Sequence, residues 1–313
     1  MEPNQKGKIL LESGTNEIEI MEFTIAGDLF GINVAKVREI MMAAPVKPMP
    51  HAHPAIEGVF KPRDTVISVI NLPQYLGLPE KSEFDRDLFI ITEFNKMTAA
   101  FRVHTVVGIN RISWEAIEKP DKTIYAGQDG VATGLAQCAG RLVTILDFEK
   151  IVADIAPETG IQMSDLDKLG ARGRDERPIL IAEDSPLLLK MIGDSLTKAG
   201  YTNIIKNNNG KEAWDRLREI KENLPAGGNI LNKVSCIITD IEMPQMDGHR
   251  LTKLVKDDPV LKKIPLVIFS SLINAEMEIK GKELGADEQL SKPEIVHLVS
   301  VIDHLLEKAE NNS

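Results

Sequence analysis

The sequence predicts two domains of different classes, an all-β N-terminal half and an α/β C-terminal half. From Glu17 to about Asp147, short alternating or apolar runs are broken by turn residues, which is typical of many short strands. From Pro178 onward, apolar runs alternate with helical segments, which indicates parallel strands with crossover helices. A polar, densely charged segment separates the halves and predicts a linker. The predicted boundaries are a tail at 1–16, the all-β domain at 17–156, the linker at 157–177, the α/β domain at 178–308 and a tail at 309–313.

The N-terminal half predicts small barrels rather than a helical bundle, because its strand-like runs are short and follow one another closely. One segment, NVAKVREIM, is instead expected to be a short helix, since Val34, Val37 and Met41 lie at i, i+3 and i+7. That helix would bury Val34 and Met41 and expose Lys36. The predicted strands are EIEIMEFTI, GVFK, TVISVIN, DLFIITEF, TAAFRV, TVVGI, TGLAQCA and RLVTILD.

The C-terminal half predicts a doubly wound five-stranded parallel sheet of the flavodoxin-like type. Apolar runs of strand length are each followed by a helical pattern, and glycine closes two of the helices. The predicted strands are ILIAE, TNIIK, VSCIIT, LVIFS and DEQL, and the predicted helices span 186–199, 210–221, 249–256, 273–284 and 293–307.

Composition argues against several classes of partner. The formal net charge of −10 and the pI near 5.2 disfavour a general affinity for nucleic acid or anionic lipid. No apolar stretch approaches the roughly 20 residues that span a bilayer, and the N-terminus lacks the apolar core of a secretion signal. We therefore expect a cytoplasmic protein with no membrane insertion. Cys138 and Cys236 both lie in apolar runs and are expected to be small buried thiols.

Acidic residues follow two of the predicted parallel strands. Glu183 and Asp184 end the first strand; taken alone, they fit a helix start, because Ser185 is a good N-cap and Pro186 suits the first helical position. Asp240 ends the third strand. Since the carboxyl ends of parallel strands meet at one edge of a sheet, we expect the three carboxylates to lie close together.

Such a cluster of like charges needs a cation, and oxygen ligands favour Mg²⁺. Ser270 and Ser271 end the fourth strand, and Lys292 follows the fifth. A carboxylate can attack phosphorus to give an acyl phosphate, and Asp240 is the candidate nucleophile. Ser270 and Lys292 would orient and neutralise the transferred phosphoryl oxygens.

The segments ILIAEDSPLLLK, CIITDIEMPQMDG, PLVIFSS and LSKP, in this order, resemble the response-regulator receiver domain, similar to CheY, over about residues 178–308. The resemblance implies that Asp240 is phosphorylated. It also implies that Glu183, Asp184 and Asp240 hold Mg²⁺, together with the backbone carbonyl of Glu242.

The receiver resemblance also assigns switch positions. It places Ser270 at the switch hydroxyl, where the family often has Thr, and Lys292 at the phosphate-contacting lysine. Gln289 stands where the family usually has an aromatic residue. This departure argues against the usual coupled rotation of a hydroxyl and an aromatic ring, and it indicates a different readout.

The N-terminal half carries a second resemblance. The segments FGINVAKVREI, HPAIEGVFKPRDTVISVINLPQYLGL and TGLAQCAGRLVTILDFEKI resemble CheW-like coupling domains over about residues 17–155. That family packs two SH3-like β-subdomains and docks the cytoplasmic tips of chemoreceptors to the histidine kinase CheA without catalysis. The contact positions carried over are Val37, Glu39 and Arg63, although the turn around Arg63 reads KPRD where members often have NLRG. Without the resemblance, Arg63 is simply an exposed turn charge.

A coupling domain followed by a receiver resembles CheV-type chemotaxis proteins. The resemblance implies a non-enzymatic adaptor, associated with receptor arrays, whose coupling of receptors to CheA is tuned during adaptation by phosphorylation of Asp240. A phosphate sink that drains CheA without signalling through the adaptor half remains open. A phosphatase that works through an aspartyl phosphate fits less well, because enzymes of the haloacid-dehalogenase type need a second Asp two residues after the nucleophile, where this sequence has Glu242. A transcription factor is also disfavoured, because no helix-turn-helix follows the last predicted helix.

Overall fold

The computed structural model describes residues 15–79, 86–119, 130–157 and 172–311. The chain forms two compact units, and the N-terminal one comprises Ile18–Thr159. The fold class predicted for each half is confirmed: the N-terminal unit is built on β-sheets, and the C-terminal unit is an α/β sheet with helices on both faces.

The N-terminal unit contains two five-stranded sheets, in the orders β8-β1-β2-β10-β9 and β3-β6-β7-β5-β4. Most neighbouring strands are antiparallel, but β2 with β10 and β5 with β7 are parallel pairs. The strands are β1 Glu17–Ile25, β2 Asp28–Asn33, β3 Val37–Met42, β4 Ile56–Phe60, β5 Ile67–Asn71, β6 Leu88–Phe94, β7 Met97–Val103, β8 Thr105–Ser113, β9 Ala132–Cys138 and β10 Arg141–Leu146. Among the described residues of this unit, the α-helices are α1 Leu72–Tyr75 and α2 Phe148–Ile155.

Aromatic side chains form the centre of the main core of this unit. Phe101 and Phe148 meet edge to face with their ring centroids 4.4 Å apart, and Phe23 packs on Phe148 at 6.2 Å. All three side chains are fully buried. Aromatic pairs favour this edge-to-face geometry. Because Phe148 begins α2, these contacts attach the helix to the sheets.

The helix predicted for NVAKVREIM is wrong. Residues Val34–Lys36 form one 3₁₀ turn, and Val37–Met42 form strand β3, paired with β6. Exposure alternates along β3, and its β-branched residues suit a strand better than a helix. Lys36, expected to be exposed, is buried and pairs with Glu149 at 2.8 Å.

Strand β2 was not predicted because Gly31 interrupts its apolar pattern. A Cβ at residue 31 would lie 3.0 Å from a methyl of Val143 and would also press on Ile20. A glycine inside a strand is typical of such a close approach between strands. The feature that weakened the strand signal is therefore the one that lets the neighbouring strands pack.

The C-terminal unit is a five-stranded parallel sheet in the order β12-β11-β13-β14-β15. Each helix begins within two residues of the predicted position. The strands are β11 Ile179–Ala182, β12 Ile204–Asn207, β13 Cys236–Thr239, β14 Leu266–Ser270 and β15 Glu288–Ser291; the helices are α3 Pro186–Lys198, α4 Gly210–Glu222, α5 Gly248–Asp257, α6 Ala275–Glu283 and α7 Ile295–Asn311.

The sheet of the C-terminal unit is buried on both faces, so its central strands read as continuous apolar runs. At the starts of these helices, polar side chains accept hydrogen bonds from backbone N–H groups, as expected for N-caps. Ser185 caps α3, Asn209 caps α4, Asp247 caps α5 and Asn274 caps α6. These caps fix where each helix leaves the carboxyl edge of the sheet.

Residues 172–177, the last part of the predicted linker, pack within the C-terminal unit. The Arg172 guanidinium donates two hydrogen bonds to Asp303 of α7, at 2.8 and 2.6 Å, and a third to the Ala199 carbonyl at 2.7 Å. Tyr201 is fully buried, and its hydroxyl also donates to Asp303. Asp175 forms a parallel bridge with Tyr201.

Within the part of the chain that the structure describes, no helix has both the length and the apolarity needed to cross a bilayer. Cys138 and Cys236 are both free and buried. Burial raises the pKa of the Cys236 thiol to about 12, so it is held in the unreactive thiol form.

Candidate functional site

Three carboxylates meet at the carboxyl edge of the parallel sheet. Strands β11 and β13 pair in register through Ala182 and Thr239, so Glu183 and Asp240 leave the sheet side by side. The Asp240 N–H donates to the Ala182 carbonyl at 3.0 Å, which continues the strand pairing to the acidic residues. One oxygen from each of Glu183, Asp184 and Asp240 lies within 4.8 Å of the others.

Lys292 lies against two of these carboxylates. Its Nζ is 2.9 Å from Asp240 Oδ2 and 3.1 Å from Glu183 Oε2. The side chain is buried, and the Lys292 N–H donates to the Ser270 carbonyl at 3.2 Å. The pairing of β14 with β15 therefore carries the ammonium group to the acidic residues of β11 and β13.

Glu183 is almost completely buried, at 1% exposure. Burial raises the pKa of its carboxyl well above the ordinary range; Lys292 opposes this shift, while Asp240 and Asp184 add to it. One oxygen accepts from the Ser185 N–H at 3.2 Å. The other faces Lys292 as an ion pair without hydrogen-bond geometry. The buried carboxylate is thus incompletely satisfied.

The arrangement fits a hard divalent cation. Lys292 contacts Glu183 and Asp240, and Asp184 lies in the same acidic cluster, so ionisation of all three carboxyl groups leaves excess negative charge for a cation to neutralise. Asp184 is only half-buried, which leaves one side of the cluster open to solvent. All-oxygen donors with room for water are the ligands that Mg²⁺ prefers.

Asp240 is held in one orientation. Its Oδ1 accepts from the Ile241 N–H at 2.7 Å, and its Oδ2 accepts from Lys292. A carboxylate fixed in this way, within a cluster of acids that fits a cation, can act as a nucleophile towards phosphorus. Glu242 lies two residues further along the same loop and is half-buried; the role of its backbone carbonyl as a metal ligand stays a prediction.

The other two predicted switch residues, Ser270 and Gln289, lie in different surroundings. Ser270 is fully buried at the end of β14, where its Oγ accepts from the Leu272 N–H at 3.4 Å. Gln289 does not join the acidic cluster. Its side chain extends to α6 and donates from Nε2 to the Glu278 carbonyl at 2.8 Å.

Gly248 is a structural residue of the site that the sequence reasoning did not single out. A Cβ at 248 would overlap the Asp240 carbonyl group, 2.8 Å from its carbon, and would lie 3.0 Å from Thr239 Oγ1. The Gly248 N–H donates to the Ile241 carbonyl at 2.9 Å. Its signal in the sequence is the Asp-Gly pair directly before a helical pattern, in which Asp247 is the N-cap.

In the N-terminal unit, two of the predicted contact residues form an ion pair. Glu39 Oε2 is 3.3 Å from Arg63 Nη2, and Glu39 Oε1 is 3.1 Å from Arg38 Nη2. The Arg63 side chain is 79% exposed. Val37, the third predicted residue, packs partly against the core. Ile40 and Met42 on strand β3 are exposed apolar residues. They were not singled out from the sequence, because this segment was predicted to be a helix.

Comparisons with known proteins agree with this organisation. The CheW-like domain model matches residues 19–156, and the response regulator receiver domain model matches residues 179–303. Chemotaxis protein CheV3 of Helicobacter pylori is 30% identical over 307 residues, covering 94% of this chain and 96% of that protein. CheV1 of the same organism is 27% identical, covering 94% and 95%. Chemotaxis protein CheW of Thermotoga maritima is 24% identical, covering 48% of this chain and 98% of that protein.

Proposed function

Because the chain belongs to the CheV family of chemotaxis proteins, we propose that it is a signalling adaptor that couples chemoreceptors to the histidine kinase CheA and is regulated by phosphorylation of Asp240. The observation that carries this proposal is the placement of Asp240. Its carboxylate lies between two further acids and a buried lysine at the carboxyl edge of a parallel sheet.

The receiver accepts the phosphoryl group on its own residue and is not an enzyme that turns over a substrate. An Asp240 oxygen attacks the phosphorus of the CheA phosphohistidine, a new P–O bond forms, and the P–N bond breaks as the imidazole leaves. Lys292, already 2.9 Å from Oδ2, neutralises charge on the phosphoryl group. The Ser270 hydroxyl turns to donate to a phosphoryl oxygen.

Magnesium would be held by the carboxylates of Glu183, Asp184 and Asp240 with the backbone carbonyl of Glu242, and it would supply positive charge to the phosphoryl oxygens. The chain's own contribution is to hold those ligands before the cation arrives. Pairing of β11 with β13 fixes two of them, and the Ser185 N–H orients Glu183.

The coupling half supplies the adaptor activity. Glu39 and the exposed Arg63 form a charged pair suited to a protein contact, and Ile40 and Met42 expose apolar surface on the other face of the same strand. We assign receptor and kinase binding to this unit, with Val37 supporting the position of the strand. Phosphorylation then changes the population of two receiver states, and that change tunes the coupling during adaptation.

The test mixes the purified protein with ³²P-labelled phospho-CheA and Mg²⁺. Wild-type protein should take up label and Asp240→Asn should not, because the amide cannot form the acyl phosphate. Asp194→Asn, on the exposed side of α3, is the matched control and should label as the wild type does. Labelling of Asp240→Asn at the wild-type level would exclude Asp240 as the acceptor.

The second arm reconstitutes receptor, kinase and adaptor and measures kinase activity after an attractant step. Under our proposal, Asp240→Asn alters adaptation while still supporting coupling. Unchanged adaptation, with altered competition for phosphate only, would instead identify the receiver as a phosphate sink.

A further inference from the structure

The side chain of Gln289 fills a notch in helix α6 that exists because residue 281 is glycine. A Cβ at 281 would overlap the amide group of Gln289, with its Nε2 2.7 Å away. Gly281 is buried, while Gln289 lies on β15 opposite Ile268 of β14. The amide therefore occupies space that any other residue at 281 would take.

Inside this notch, Gln289 makes one hydrogen bond and leaves one group unpaired. Nε2 donates to the Glu278 carbonyl, one helical turn before Gly281, at 2.8 Å. The Oε1 atom is buried without a hydrogen-bond partner among the described residues. Burying a carbonyl oxygen without a hydrogen-bond donor costs free energy. The hydrogen bond from Nε2 therefore holds Gln289 in the notch, while the unpaired Oε1 makes this position easier to leave.

Helix α6 has little other anchorage to the sheet. Over its nine residues, Met277 and Gly281 are the buried positions, and Ile279 is 55% exposed. Helix α7, by contrast, buries Ile295, Leu298, Val299, Ile302, Leu305 and Leu306. The C-cap residue of α6, Leu284, is buried as well. Because few side chains of α6 are buried, we expect the loss of one side-chain contact to loosen the helix measurably.

The start of α6 is connected to the phosphorylation site through Ser270. Its Oγ accepts from the Leu272 N–H at 3.4 Å, and two residues later Asn274 caps α6 by accepting from the N–H groups of Glu276 and Met277. If the hydroxyl turns towards a phosphoryl group on Asp240, it draws away from Leu272. The segment that leads into α6 then loses a restraint.

We propose that Gln289 is a latch that holds α6 against β15 in the unphosphorylated receiver, and that phosphorylation of Asp240 releases it through Ser270 and Leu272. The latch is a hydrogen-bonding amide at the position where receiver domains usually have an aromatic residue, and its side chain inserts into the notch of α6. The release step rests on the proposed function; the latch itself does not.

The ligand-free test is a double-mutant cycle read by amide hydrogen exchange of α6 in the full-length protein. Gly281→Ala should expel the amide and speed exchange in α6 by about two- to tenfold, the change expected for one lost hydrogen bond. Gln289→Ala should do the same. In the Gln289→Ala background, Gly281→Ala should slow exchange, because no amide remains to expel and alanine favours a helix.

Gly193→Ala is the matched control. It adds a methyl to a buried helical glycine of α3 that also faces the end of a flexible side chain, with Lys206 Nζ 2.5 Å from the added carbon. It should leave exchange in α6 unchanged. Slower exchange in α6 for Gly281→Ala in the wild-type background, or equal effects in both backgrounds, would overturn the latch.

The release step is tested with beryllium trifluoride and Mg²⁺, which mimic an aspartyl phosphate. Binding should speed α6 exchange in the wild type by about two- to tenfold and hardly change it in Gly281→Ala, where the latch is already open. By reciprocity, Gly281→Ala should bind the probe more tightly by the same factor. Binding seen by ¹⁹F NMR with no change in α6 would overturn the release step alone. No binding at all would overturn the release step and count against the proposed function, while the ligand-free cycle still decides the latch.

Discussion

Lys292 Nζ lies 2.9 Å from Asp240 Oδ2 and 3.1 Å from Glu183 Oε2, so one buried ammonium group serves two buried carboxylates. Removing one partner of a buried ion pair leaves uncompensated charge, which typically costs about 3–5 kcal/mol. The free energy of unfolding of the receiver should therefore depend strongly on Lys292.

We expect Lys292→Ala to lower the unfolding free energy of the receiver by about 3–5 kcal/mol in magnesium-free buffer. The measurement is urea unfolding in a chain carrying Trp114→Phe, in which Trp214 of α4 alone reports by fluorescence. Lys190→Ala, at an exposed position of α3, is the control and should change stability by less than about 0.5 kcal/mol. If Lys292→Ala lowered the unfolding free energy by less than about 1 kcal/mol, Lys292 would not be a major stabiliser of the two buried carboxylates.

Magnesium should stabilise the receiver. At a concentration of 100 times its Kd, binding to the folded state alone adds about 2.7 kcal/mol to the unfolding free energy. Asp184→Asn should weaken this effect, because it removes one of the three clustered carboxylates. The measurement is the unfolding midpoint as Mg²⁺ is titrated, with Asp194→Asn as control. Identical titrations for Asp184→Asn and the wild type would exclude Asp184 as a ligand.

His249 should make the receiver less stable in acid. Burial lowers the pKa of this imidazole to about 3 from an ordinary value of 6.5, and Lys280 adds to the shift. The folded state therefore binds the proton less well than the unfolded state, so the stability contribution is present above pH 6.5 and is lost as the pH falls towards 3.

We expect wild-type protein to lose about 2 kcal/mol relative to His249→Gln between pH 7 and pH 5. The comparison of the two proteins matters because Asp247 acts in the opposite direction: burial raises the pKa of its carboxyl to about 6, so its contribution to stability grows as the pH falls through 6. Asp247 is common to both proteins and cancels. A pH-independent difference between them would show that His249 protonates freely in the folded state.

Charge reversal at Glu39 or Arg63 should weaken receptor–kinase coupling without unfolding the domain. Arg63 is exposed, and exposed ion pairs contribute only about 0–1 kcal/mol to stability. We expect each single reversal to lower the affinity for CheA or receptor by about tenfold, measured by co-sedimentation, as for a residue that contributes substantially to an interface. Restoration by the double variant Glu39→Arg/Arg63→Glu would show that only the pair matters. Lys96→Glu, which makes the same change in net charge as a reversal at Arg63, is the control for that variant.

Much of the C-terminal unit could be predicted from the sequence, because its strand pattern and its helix-capping residues indicate the same fold. Strands buried on both faces give continuous apolar runs, and each helix start carries a capping residue. The clustering of Glu183, Asp184, Asp240 and Lys292 follows from strand order alone, since parallel strands end at one edge.

The N-terminal unit was harder to predict because its signals conflict. Val34, Val37 and Met41 fit a helical period, but pairing with β6 decides for a strand. Helix α2 was missed although its signal is present: Asp147 caps it, and Phe148, Ile151 and Val152 are the buried positions. The notch at Gly281 could not be predicted, because it depends on where a side chain eight residues away lies after an intervening turn.

Gly248 packs closely on the backbone of Asp240, so two neighbouring positions of this loop are constrained for different reasons: residue 248 by the fold and residue 240 by its proposed reaction. Under the proposed function, Asp240→Asn, which keeps the size of the side chain and still offers an oxygen to Lys292, should accumulate normally in cells and merely fail to respond. A library at 248 should instead be depleted at the level of protein abundance, because any added side chain forces α5 away from the backbone of β13. Abundance and response, scored side by side, would therefore rank these two positions in opposite order.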